Sequence, residues 1–510
     1  MSQRYIEKIL RARVYDVARE TPLDRATLLS KRFENRVYLK REDLQPVFSF
    51  KLRGAYNKII NLSQEARERG VIAASAGNHA QGVALAARKL KIQALIVMPK
   101  TTPPIKVQAV RNLGAKIVLA GDSYDEAFAR SQELANEQGL TYIHPFDDPD
   151  VIAGQGTIGM ELVRQLPSPP YAVFVPVGGG GLISGVGSYL KYVYPSVKVI
   201  GVEPIDAASM HDALKAKRRV KLKQVGIFAD GVAVRQVGKE TYRLARKVVD
   251  EVVLVSTDEI CAAIKDVFDE TRSTTEPAGA LSVAGMKRYV KEKGIKDKSL
   301  IAINSGANIN FDRLRHVAER AEFGERREAL FAVQIPERPG SFLKFCRLIG
   351  KRSITEFNYR FSDLSVAQIF VGVELGGGDE ERLTLLSRLR ENGYSIVDMT
   401  DNETAKLHIR YMVGGHARGV ENESLVRFEF PERPGALLYF LTKLGKSWNI
   451  SLFHYRNHGA AYGRVLMGIQ MPAEQRVAFT QLLKELEYPF WDETDNPAYR
   501  LFAGVDSINP

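Results

Sequence analysis

The chain has 510 residues, of which 45 % are hydrophobic and 26 % are charged. This balance is typical of soluble globular proteins, and the length predicts about three domains. No segment approaches the ~20 consecutive apolar residues of a membrane-spanning helix, and the first residues resemble neither a secretory signal nor a transit peptide. The only cysteines, Cys261 and Cys346, are far apart and predict neither a disulfide framework nor a metal cluster. We therefore expect a cytoplasmic protein with no metal site.

The formal charge of +12 raises the hypothesis of nucleic-acid binding. Its only local support is a basic run at 215–223. No aromatic residue interrupts that run and no nucleic-acid-binding motif surrounds it, so a solvated surface loop is the simpler interpretation. The excess positive charge can also attract anionic substrates and phosphate groups. We expect no nucleic-acid or membrane partner.

The first chemically informative segment is 46–55, in which Lys51 lies between Phe50 and Leu52. Most lysines are solvated surface charges. Partial burial among apolar neighbours would lower the pKa of Lys51, and an amine that is neutral near pH 7 can form a Schiff base. The adjacent Phe50 could offer an apolar face to a flat ring. Lys51 is therefore a candidate for covalent attachment of a carbonyl cofactor.

Short β-branched runs alternate with helical patterns from residue 70 to about 310. Such alternation predicts parallel sheets covered by helices. The predicted strands are 71–75, 92–98, 116–120, 171–177, 197–202, 251–255 and 300–304. The predicted helices include 80–90, 104–113 and a long helix that follows a cap at 121–123 and extends through residue 136.

The segment Ser75-Ala76-Gly77-Asn78-His79 joins the first of these strands to a helix. Glycine lets the backbone approach a ligand, and a helix start offers free N–H groups to a carboxylate. The Asn78 amide can hydrogen-bond a phenolic oxygen. We therefore predict that Ser75, Gly77, Asn78 and His79 lie at the substrate. A simple helix cap is the alternative for this motif, and packing is the ordinary role of a histidine such as His79, to which we assign no chemical step.

Four glycines follow the strand 171–177 and open a helix. Their backbone N–H groups are not covered by side chains, and ligands bind beyond the carboxyl ends of such strands. Ile183 stands where the dinucleotide fingerprint requires glycine, so a simple phosphate site is favoured over a dinucleotide site. A purely structural turn is the alternative. The predicted phosphate-binding residues are Gly178, Gly179, Gly180, Gly181 and Leu182.

Ser305 ends the last predicted strand, within the turn Ser305-Gly306-Ala307-Asn308. In isolation, a serine at this position is usually a turn former. Beside the three motifs described above, it becomes a candidate partner for the nitrogen of a cofactor ring.

The composition changes at 319–328, a charged stretch that we interpret as a linker, and a repeat follows it. The segment 336–343 recurs as 431–438, and 354–360 recurs as 450–456. Two copies of one strand, loop, helix and strand unit are the economical explanation. We expect three domains at 1–322, 330–415 and 425–506.

These motifs resemble the fold-type II family of pyridoxal-phosphate enzymes, and within it the biosynthetic threonine dehydratases, also called threonine ammonia-lyases. The resemblance covers essentially the whole chain. It implies an α/β catalytic domain with parallel sheets covered by helices, followed by two ACT-like α/β regulatory modules. The segments that carry it are 49–51, 75–79, 178–182, 276–280 and 305–308.

The resemblance also implies roles for individual residues. Lys51 would carry pyridoxal 5′-phosphate and act as the catalytic base, while Asn78 would contact the ring oxygen. The glycine run and Leu182 would hold the phosphate, and Ser305 would face the ring nitrogen. Because serine is not an anion, we expect a neutral ring nitrogen, which favours elimination of the β-hydroxyl over transamination.

The implied activity is dehydration and deamination of L-threonine to 2-oxobutanoate and ammonia, with isoleucine as inhibitor, valine as a possible activator and a homotetrameric assembly. For the effector site we predict Arg338, Gly340, Arg433 and Gly435 of the repeated loops, although an exposed loop arginine is the simpler interpretation. Serine dehydration or racemisation on the same scaffold remains open, as does an amino-acid-binding regulator without activity. The duplicated regulatory region favours the biosynthetic enzyme over a simple degradative relative.

Overall fold

The computed structural model describes residues 3–311, 313–361, 365–407, 409–412, 417, 420, 422–431, 436–444, 448–456, 462–485 and 489–496. The chain divides into two compact units, Met1–Gly324 and Glu325–Pro510. None of the helices in the described ranges is long and apolar enough to span a bilayer.

The first unit contains two sheets. The strands described there are β1 (Leu23–Arg25), β2 (Arg36–Arg41), β3 (Val71–Ala74), β4 (Ala94–Met98), β5 (Lys116–Leu119), β6 (Thr141–Tyr142), β7 (Ala172–Pro176), β8 (Lys198–Pro204), β9 (Glu251–Val255) and β10 (Ser299–Asn304). The larger sheet has the order β1-β2-β10-β7-β8-β9 and the smaller sheet the order β5-β4-β3-β6. All neighbouring strands are parallel except the antiparallel pair β1 and β2.

Helices cover both sheets, as the alternating pattern predicts. Those described in the first unit are α1 (Gln3–Leu10), α2 (Thr27–Arg32), α3 (Lys51–Ile60), α4 (Gln64–Arg69), α5 (Asn78–Leu90), α6 (Pro104–Asn112), α7 (Tyr124–Gln138), α8 (Pro149–Gln165), α9 (Gly181–Val193), α10 (Ser209–Lys215), α11 (Lys239–Val248), α12 (Thr257–Thr271), α13 (Pro277–Lys293) and α14 (Arg313–Gly324). Every residue of the central strands β3, β4 and β7 is buried, which explains why these strands are continuous apolar runs in the sequence.

The predicted strands and helices of this unit are confirmed to within about three residues at each end, the usual uncertainty of element boundaries. The cap predicted before the long helix is also present. Ser123 accepts a hydrogen bond from the backbone of Glu126, whose side chain in turn accepts from the Ser123 backbone, so the two residues form a capping box at the start of α7. The basic run at 215–223 is, as expected, an exposed loop that follows α10.

The boundary between the two units lies within the predicted linker at 319–328, after Gly324, but only part of that stretch lacks regular structure. Helix α14 continues to Gly324, and the next strand begins at Glu328, so only 325–327 lie outside regular structure. The helix is held by packing, because Ala321 and Phe323 are buried. It is also held by an ion pair of 2.5 Å between Arg320 Nε and Asp258 Oδ1. The charged residues of this stretch are therefore the exposed positions of an amphipathic helix rather than a flexible connection.

A buried group of four charges ties α3 to its surroundings. The Arg53 guanidinium donates to both carboxylate oxygens of Glu42 at 2.8 Å and to those of Glu161 at 2.5 and 3.0 Å. Lys40 Nζ forms an ion pair of 2.6 Å with Glu161, and all four side chains are fully buried. Two cations and two anions are balanced here, so β2, α3 and α8 are fixed relative to one another near the start of α3.

We predict that Glu161→Gln strongly destabilises the first unit, because it leaves Lys40 and Arg53 buried with the single anion Glu42. Breaking a buried pair in this way costs about 3–5 kcal/mol. The matched control is Glu137→Gln, which removes a carboxylate from an exposed ion pair with Arg130 and should cost less than ~1 kcal/mol. Urea unfolding followed by circular dichroism measures both variants. Equal midpoints for the two variants would contradict the account.

The second unit is one eight-stranded sheet with helices. Its described strands are β11 (Glu328–Pro336), β12 (Ile354–Arg360), β13 (Val366–Glu374), β14 (Ser395–Asp398), β15 (Glu423–Pro431), β16 (Asn449–Arg456), β17 (Tyr462–Gln470) and β18 (Phe490–Asp492). Its described α-helices are α15 (Ser341–Ile349), α16 (Gly378–Glu391), α17 (Glu403–Leu407), α18 (Ala436–Leu444) and α19 (Arg476–Glu485). The sheet order is β14-β11-β13-β12-β16-β17-β15-β18, and all neighbours are antiparallel.

The repeat in the sequence corresponds to two β-α-β-β-α-β modules within this sheet. The first module contributes β11 to β14 and the second β15 to β18, and they join through the antiparallel pair β12 and β16. The expected pair of ACT-like α/β modules is therefore confirmed as a fold. One buried core cluster includes side chains of both modules.

Each module has a buried carboxylate at the first residue of its first strand. Glu328 begins β11 and accepts a hydrogen bond from Thr355, while Glu423 begins β15 and accepts one from Ser451. Arg360, on a strand of the first module, forms an ion pair of 2.5 Å with Glu423 of the second. This charge pair adds a specific link between the two modules to the sheet hydrogen bonds.

Candidate active site

Lys51 is held next to the segment that carries Ser305. Ser49 forms a β-bridge with Gly306, and the Phe50 N–H donates to the Ser305 carbonyl at 3.3 Å. Helix α3 begins immediately afterwards, at Lys51. Residues more than about 250 positions apart in the sequence are therefore joined by backbone contacts.

The Lys51 amine is placed in an apolar setting without an ionic partner. Its Nζ lies 5.4 Å from the centroid of the Phe50 ring. Among the described residues, no carboxylate forms an ion pair with it. Burial lowers the pKa of Lys51 to about 8, an effect that the negative charge of Glu276 opposes only in part. The lowered pKa leaves part of the amine in its neutral, nucleophilic form near physiological pH.

Asn78 is the first residue of α5, and its buried amide is held on both sides. Its Nδ2 donates to Glu276 Oε1 at 2.6 Å, and its Oδ1 accepts from Asn308 Nδ2 at 2.7 Å. Burial, reinforced by the charge of Asp230, raises the pKa of Glu276 to about 7, while the Asn78 hydrogen bond acts in the opposite direction. A polar network therefore connects α5, α13 and the strand end after β10.

The start of α5 leaves room for an anionic group. Gly77 occupies the N-cap position without a side-chain cap, and its N–H donates to Ser75 Oγ at 3.2 Å. A Cβ atom added to Gly77 would meet no atom within 4 Å. An open space at a helix N-terminus with free N–H groups is suited to a carboxylate. His79 is turned to another contact, since its Nε2 is 2.8 Å from the Ile143 carbonyl and burial lowers its pKa to about 3.

The glycine run forms a tight loop between β7 and α9. Gly180 has φ 93°, a left-handed conformation that favours glycine, and it lies at the N-cap of α9. Thr241 Oγ1 donates to the Gly179 carbonyl at 2.7 Å and fixes the loop from outside. A Cβ atom at Gly179 would lie 2.3 Å from the Phe146 ring, so no larger residue fits there.

Ser305 directly follows β10 and is 3 % exposed. Its Oγ lies 3.4 Å from the Ala278 carbonyl at the start of α13. At this distance the hydrogen bond is weak, so the hydroxyl is free to exchange it for a better partner. Thr275 anchors the same segment by donating to the Gly306 carbonyl at 2.7 Å.

These residues fit pyridoxal phosphate. Several polar groups around the site have no protein partner among the described residues: the Ser49 hydroxyl, the Lys51 amine and the backbone N–H groups of 178–182. Buried polar groups are otherwise nearly always paired. An amine, a row of N–H donors at a helix start, an amide and a hydroxyl match an aldehyde, a phosphate, a ring oxygen and a ring nitrogen.

Backbone contacts bring Phe50 and Lys51 next to the segment that carries Ser305. The hydrogen bond from Asn308 joins Asn78 to the same segment. Glu276 and Asn308 complete the polar network around Asn78, and neither residue has a role predicted from the sequence. Both residues lie in segments on which the family resemblance rests, 276–280 and 305–308. Their place in these segments was the sequence signal that could have identified them. Arg338 is exposed and Gly340 begins α15 with φ 87°, whereas Arg433 and Gly435 lie outside the described residues.

Comparison with known proteins agrees with this geometry. Residues 14–306 match the family model of pyridoxal-phosphate dependent enzymes. Residues 319–409 and 414–503 each match the model of the C-terminal regulatory domain of threonine dehydratase. The biosynthetic L-threonine dehydratase IlvA of Burkholderia multivorans is 55 % identical over 98 % of this chain and 99 % of its own length. The mitochondrial threonine dehydratase of Saccharomyces cerevisiae is 52 % identical over 98 % of this chain and 89 % of its own.

Solved structures resemble the catalytic part of the chain. The processed form of threonine deaminase isoform 2 from Solanum lycopersicum is 54 % identical, with a TM-score of 0.61 over 62 % of this chain and 92 % of that one. Maize serine racemase is 32 % identical, with a TM-score of 0.58 over 61 % of this chain and 96 % of that one. The fold and the site thus define a fold-type II pyridoxal-phosphate enzyme. The chain belongs to the family of biosynthetic L-threonine dehydratases.

We predict that the rate of cofactor uptake by the apoprotein rises with pH and levels off above pH ~8. Only the neutral amine attacks an aldehyde, and the neutral fraction of Lys51 grows as the pH rises through its pKa of about 8. Stopped-flow absorbance from pH 6.5 to 10 measures the uptake rate. A rate that is still rising tenfold per pH unit between pH 9 and 10 would show that Lys51 titrates like an ordinary lysine.

Proposed function

We propose that this chain catalyses the pyridoxal-phosphate-dependent dehydration and deamination of L-threonine to 2-oxobutanoate and ammonia, the first step of isoleucine biosynthesis. The observation that carries the proposal is the placement of an unpaired amine, Lys51, beside the Asn78 amide and the Ser305 hydroxyl. The full-length similarity to biosynthetic L-threonine dehydratases supports the choice of threonine as substrate.

Each residue has a role in this proposal. The backbone N–H groups from Gly178 to Leu182 bind the cofactor phosphate, and Asn78 donates to the ring oxygen. The free N–H groups at the start of α5, beside Ser75 and Gly77, bind the substrate carboxylate and orient the Cα–H bond. Lys51, once its amine is released, takes the α-proton as general base. Phe50 provides an apolar wall beside that amine.

Bound pyridoxal phosphate withdraws electrons from the substrate Cα, which acidifies the α-proton and allows the β-hydroxyl to leave. Ser305 affects how strongly this occurs. A hydroxyl is neutral and cannot stabilise a positive charge on the ring nitrogen as a carboxylate would. This favours rapid loss of the β-hydroxyl and disfavours the longer-lived carbanion that transamination requires.

The same scaffold supports two other reactions, serine dehydration and racemisation, and a serine racemase is among the similar structures. The two matches to the regulatory domain of threonine dehydratase favour threonine. We propose isoleucine as the inhibitor and valine as an opposing effector, with binding at the repeated loops. The N–H groups at the start of α15, beside Gly340, would take the effector carboxylate, with Arg338 adding charge and Arg433 and Gly435 in the corresponding positions.

The proposal includes the domain limits 1–322, 330–415 and 425–506. The division of the chain after Gly324 and the order of strands and helices in the second unit support them. A homotetramer follows from the family resemblance, and sedimentation velocity tests it. We also propose a cytoplasmic location, with which the buried, unpaired Cys261 and Cys346 agree.

We predict that the purified protein releases 2-oxobutanoate from threonine and that isoleucine inhibits the release. Lys51→Ala should lower turnover at least a hundredfold, since it removes both the attachment point and the base. Lys58→Ala is the matched control on the same helix, because it removes a lysine that pairs with Asp148, and it should stay within about twofold of the parent. Near-normal turnover by Lys51→Ala, or no turnover of threonine by the parent protein, would refute the proposal.

We predict further that a chain ending at Gly324 keeps threonine activity and loses its response to isoleucine. The cut falls at the end of α14 and retains Ala321, which belongs to a core cluster of the first unit. Allosteric inhibition requires that the effector bind one state of the protein better than the other, and the truncated chain lacks the proposed effector site. Activity is normalised to cofactor content. Isoleucine inhibition that persists in the folded truncated protein would place the effector site in the catalytic unit.

A further inference from the structure

The orientation of the Asn78 amide can be traced from a backbone carbonyl. Asn308 Nδ2 lies 2.9 Å from the Val47 carbonyl, which can only accept a hydrogen bond. The same Nδ2 donates its second hydrogen to Asn78 Oδ1 at 2.7 Å. The Asn78 oxygen therefore faces Asn308, and its nitrogen faces the other way.

Glu276 completes this arrangement from the opposite side. Its Oε1 accepts one hydrogen of Asn78 Nδ2 at 2.6 Å. An amide nitrogen has two hydrogens, so one remains for a further acceptor. If Asn78 rotated by 180° about its last torsion, its oxygen would face the Glu276 carboxylate and its nitrogen would face the Asn308 nitrogen. Both neighbours oppose that rotation.

The backbone at Glu276 is also tied to the segment that carries Ser305. Glu276 occupies the N-cap position of α13, yet its side chain makes no cap hydrogen bond to that helix. Its N–H donates to the Gly306 carbonyl at 3.1 Å, and two residues later the Ala278 carbonyl faces the Ser305 hydroxyl. The start of α13 thus contacts both Asn78 and Ser305, the residues that we propose at the ring oxygen and at the ring nitrogen of the cofactor.

From these contacts we infer that Glu276 is a positioning residue that, together with Asn308, holds the Asn78 amide with its free N–H toward the ring oxygen of the cofactor. The inference rests on the proposed function for the identity of the cofactor. Glu276 positions the ring contact through Asn78, whereas its charge also acts on the Lys51 amine, and the Asn78→Ala background separates the two effects. Its oxygen must accept a hydrogen bond from Asn78, and this requirement distinguishes the role from simple packing at the start of a helix.

A double-mutant cycle on cofactor affinity tests this inference. The dissociation constant of pyridoxal phosphate is measured by fluorescence titration of the apoprotein for Glu276→Ala, Asn78→Ala and the double variant. Loss of a hydrogen bond to a charged group corresponds to a factor of roughly 10–100. We expect Glu276→Ala to weaken binding by about that factor in the parent and by less than about threefold in the Asn78→Ala background, because the two residues act as one unit.

Two further variants make the test decisive. Glu276→Gln keeps the shape and one acceptor oxygen, so it should recover part of the affinity and serves as the readout if the alanine variant does not fold. Asn308→Ala should weaken cofactor binding as Glu276→Ala does. This loss of affinity should likewise disappear in the Asn78→Ala background. The inference is overturned if Glu276→Gln or Glu276→Ala binds the cofactor as the parent does, or if the loss is equally large without Asn78.

Failure of the proposed function gives a different result. A parent protein that binds pyridoxal phosphate but does not release 2-oxobutanoate from threonine would refute the proposed reaction. The double-mutant cycle on cofactor affinity would still test the role of Glu276 in the same protein samples.

Discussion

The site depends on a lowered pKa at one lysine amine, which leaves part of that amine uncharged near neutral pH. Two lysines near β2 and α3 are removed from water to different extents, since Lys40 is fully buried and Lys51 is half-buried. Burial lowers the pKa of both amines. Lys40 forms an ion pair of 2.6 Å with Glu161, whose charge opposes the shift and holds the amine in place. Lys51 has no ion-pair partner among the described residues, and its amine, with a pKa of about 8, is not held by a carboxylate.

The neighbouring groups preserve this state. The carboxylate of Glu276 would favour the charged amine, but its own charge is limited, because burial raises the pKa of Glu276 to about 7. Its acceptor oxygen is bound by Asn78 rather than by the amine. The carboxylates of Glu42 and Glu161 are bound to Arg53, which lies two residues after Lys51. Each of these carboxylates therefore has a contact other than the Lys51 amine.

Much of the fold could be predicted from the sequence, because buried parallel strands are continuous apolar runs separated by helices. Lys51 and the glycine run stand in distinctive local contexts, so the sequence could single them out as candidates, and their roles stay predictions. The unit boundary lies within the predicted linker at 319–328, but the helix that fills its first part was missed, because many charges obscured the buried apolar positions Ala321 and Phe323. Charge content alone does not distinguish an exposed helix face from a flexible segment.

The residues that sequence reasoning missed act over long sequence separations. Glu276 meets Asn78 across 198 positions, and Asn308 meets it across 230. Neither contact leaves a local pattern of periodicity or spacing. The effector residues are a further such case, because a loop arginine has the same local signature whether it binds a ligand or only solvent. The tertiary structure shows the contacts of Glu276 and Asn308 with Asn78.

The most direct test of the central claim is to locate the attached cofactor. The protein is incubated with pyridoxal phosphate, reduced with borohydride to fix the cofactor to the amine that binds it, digested, and analysed by mass spectrometry. The account predicts that the label lies on the peptide containing Lys51, in an amount close to one per chain. A label distributed over surface lysines, or concentrated on another lysine, would contradict it.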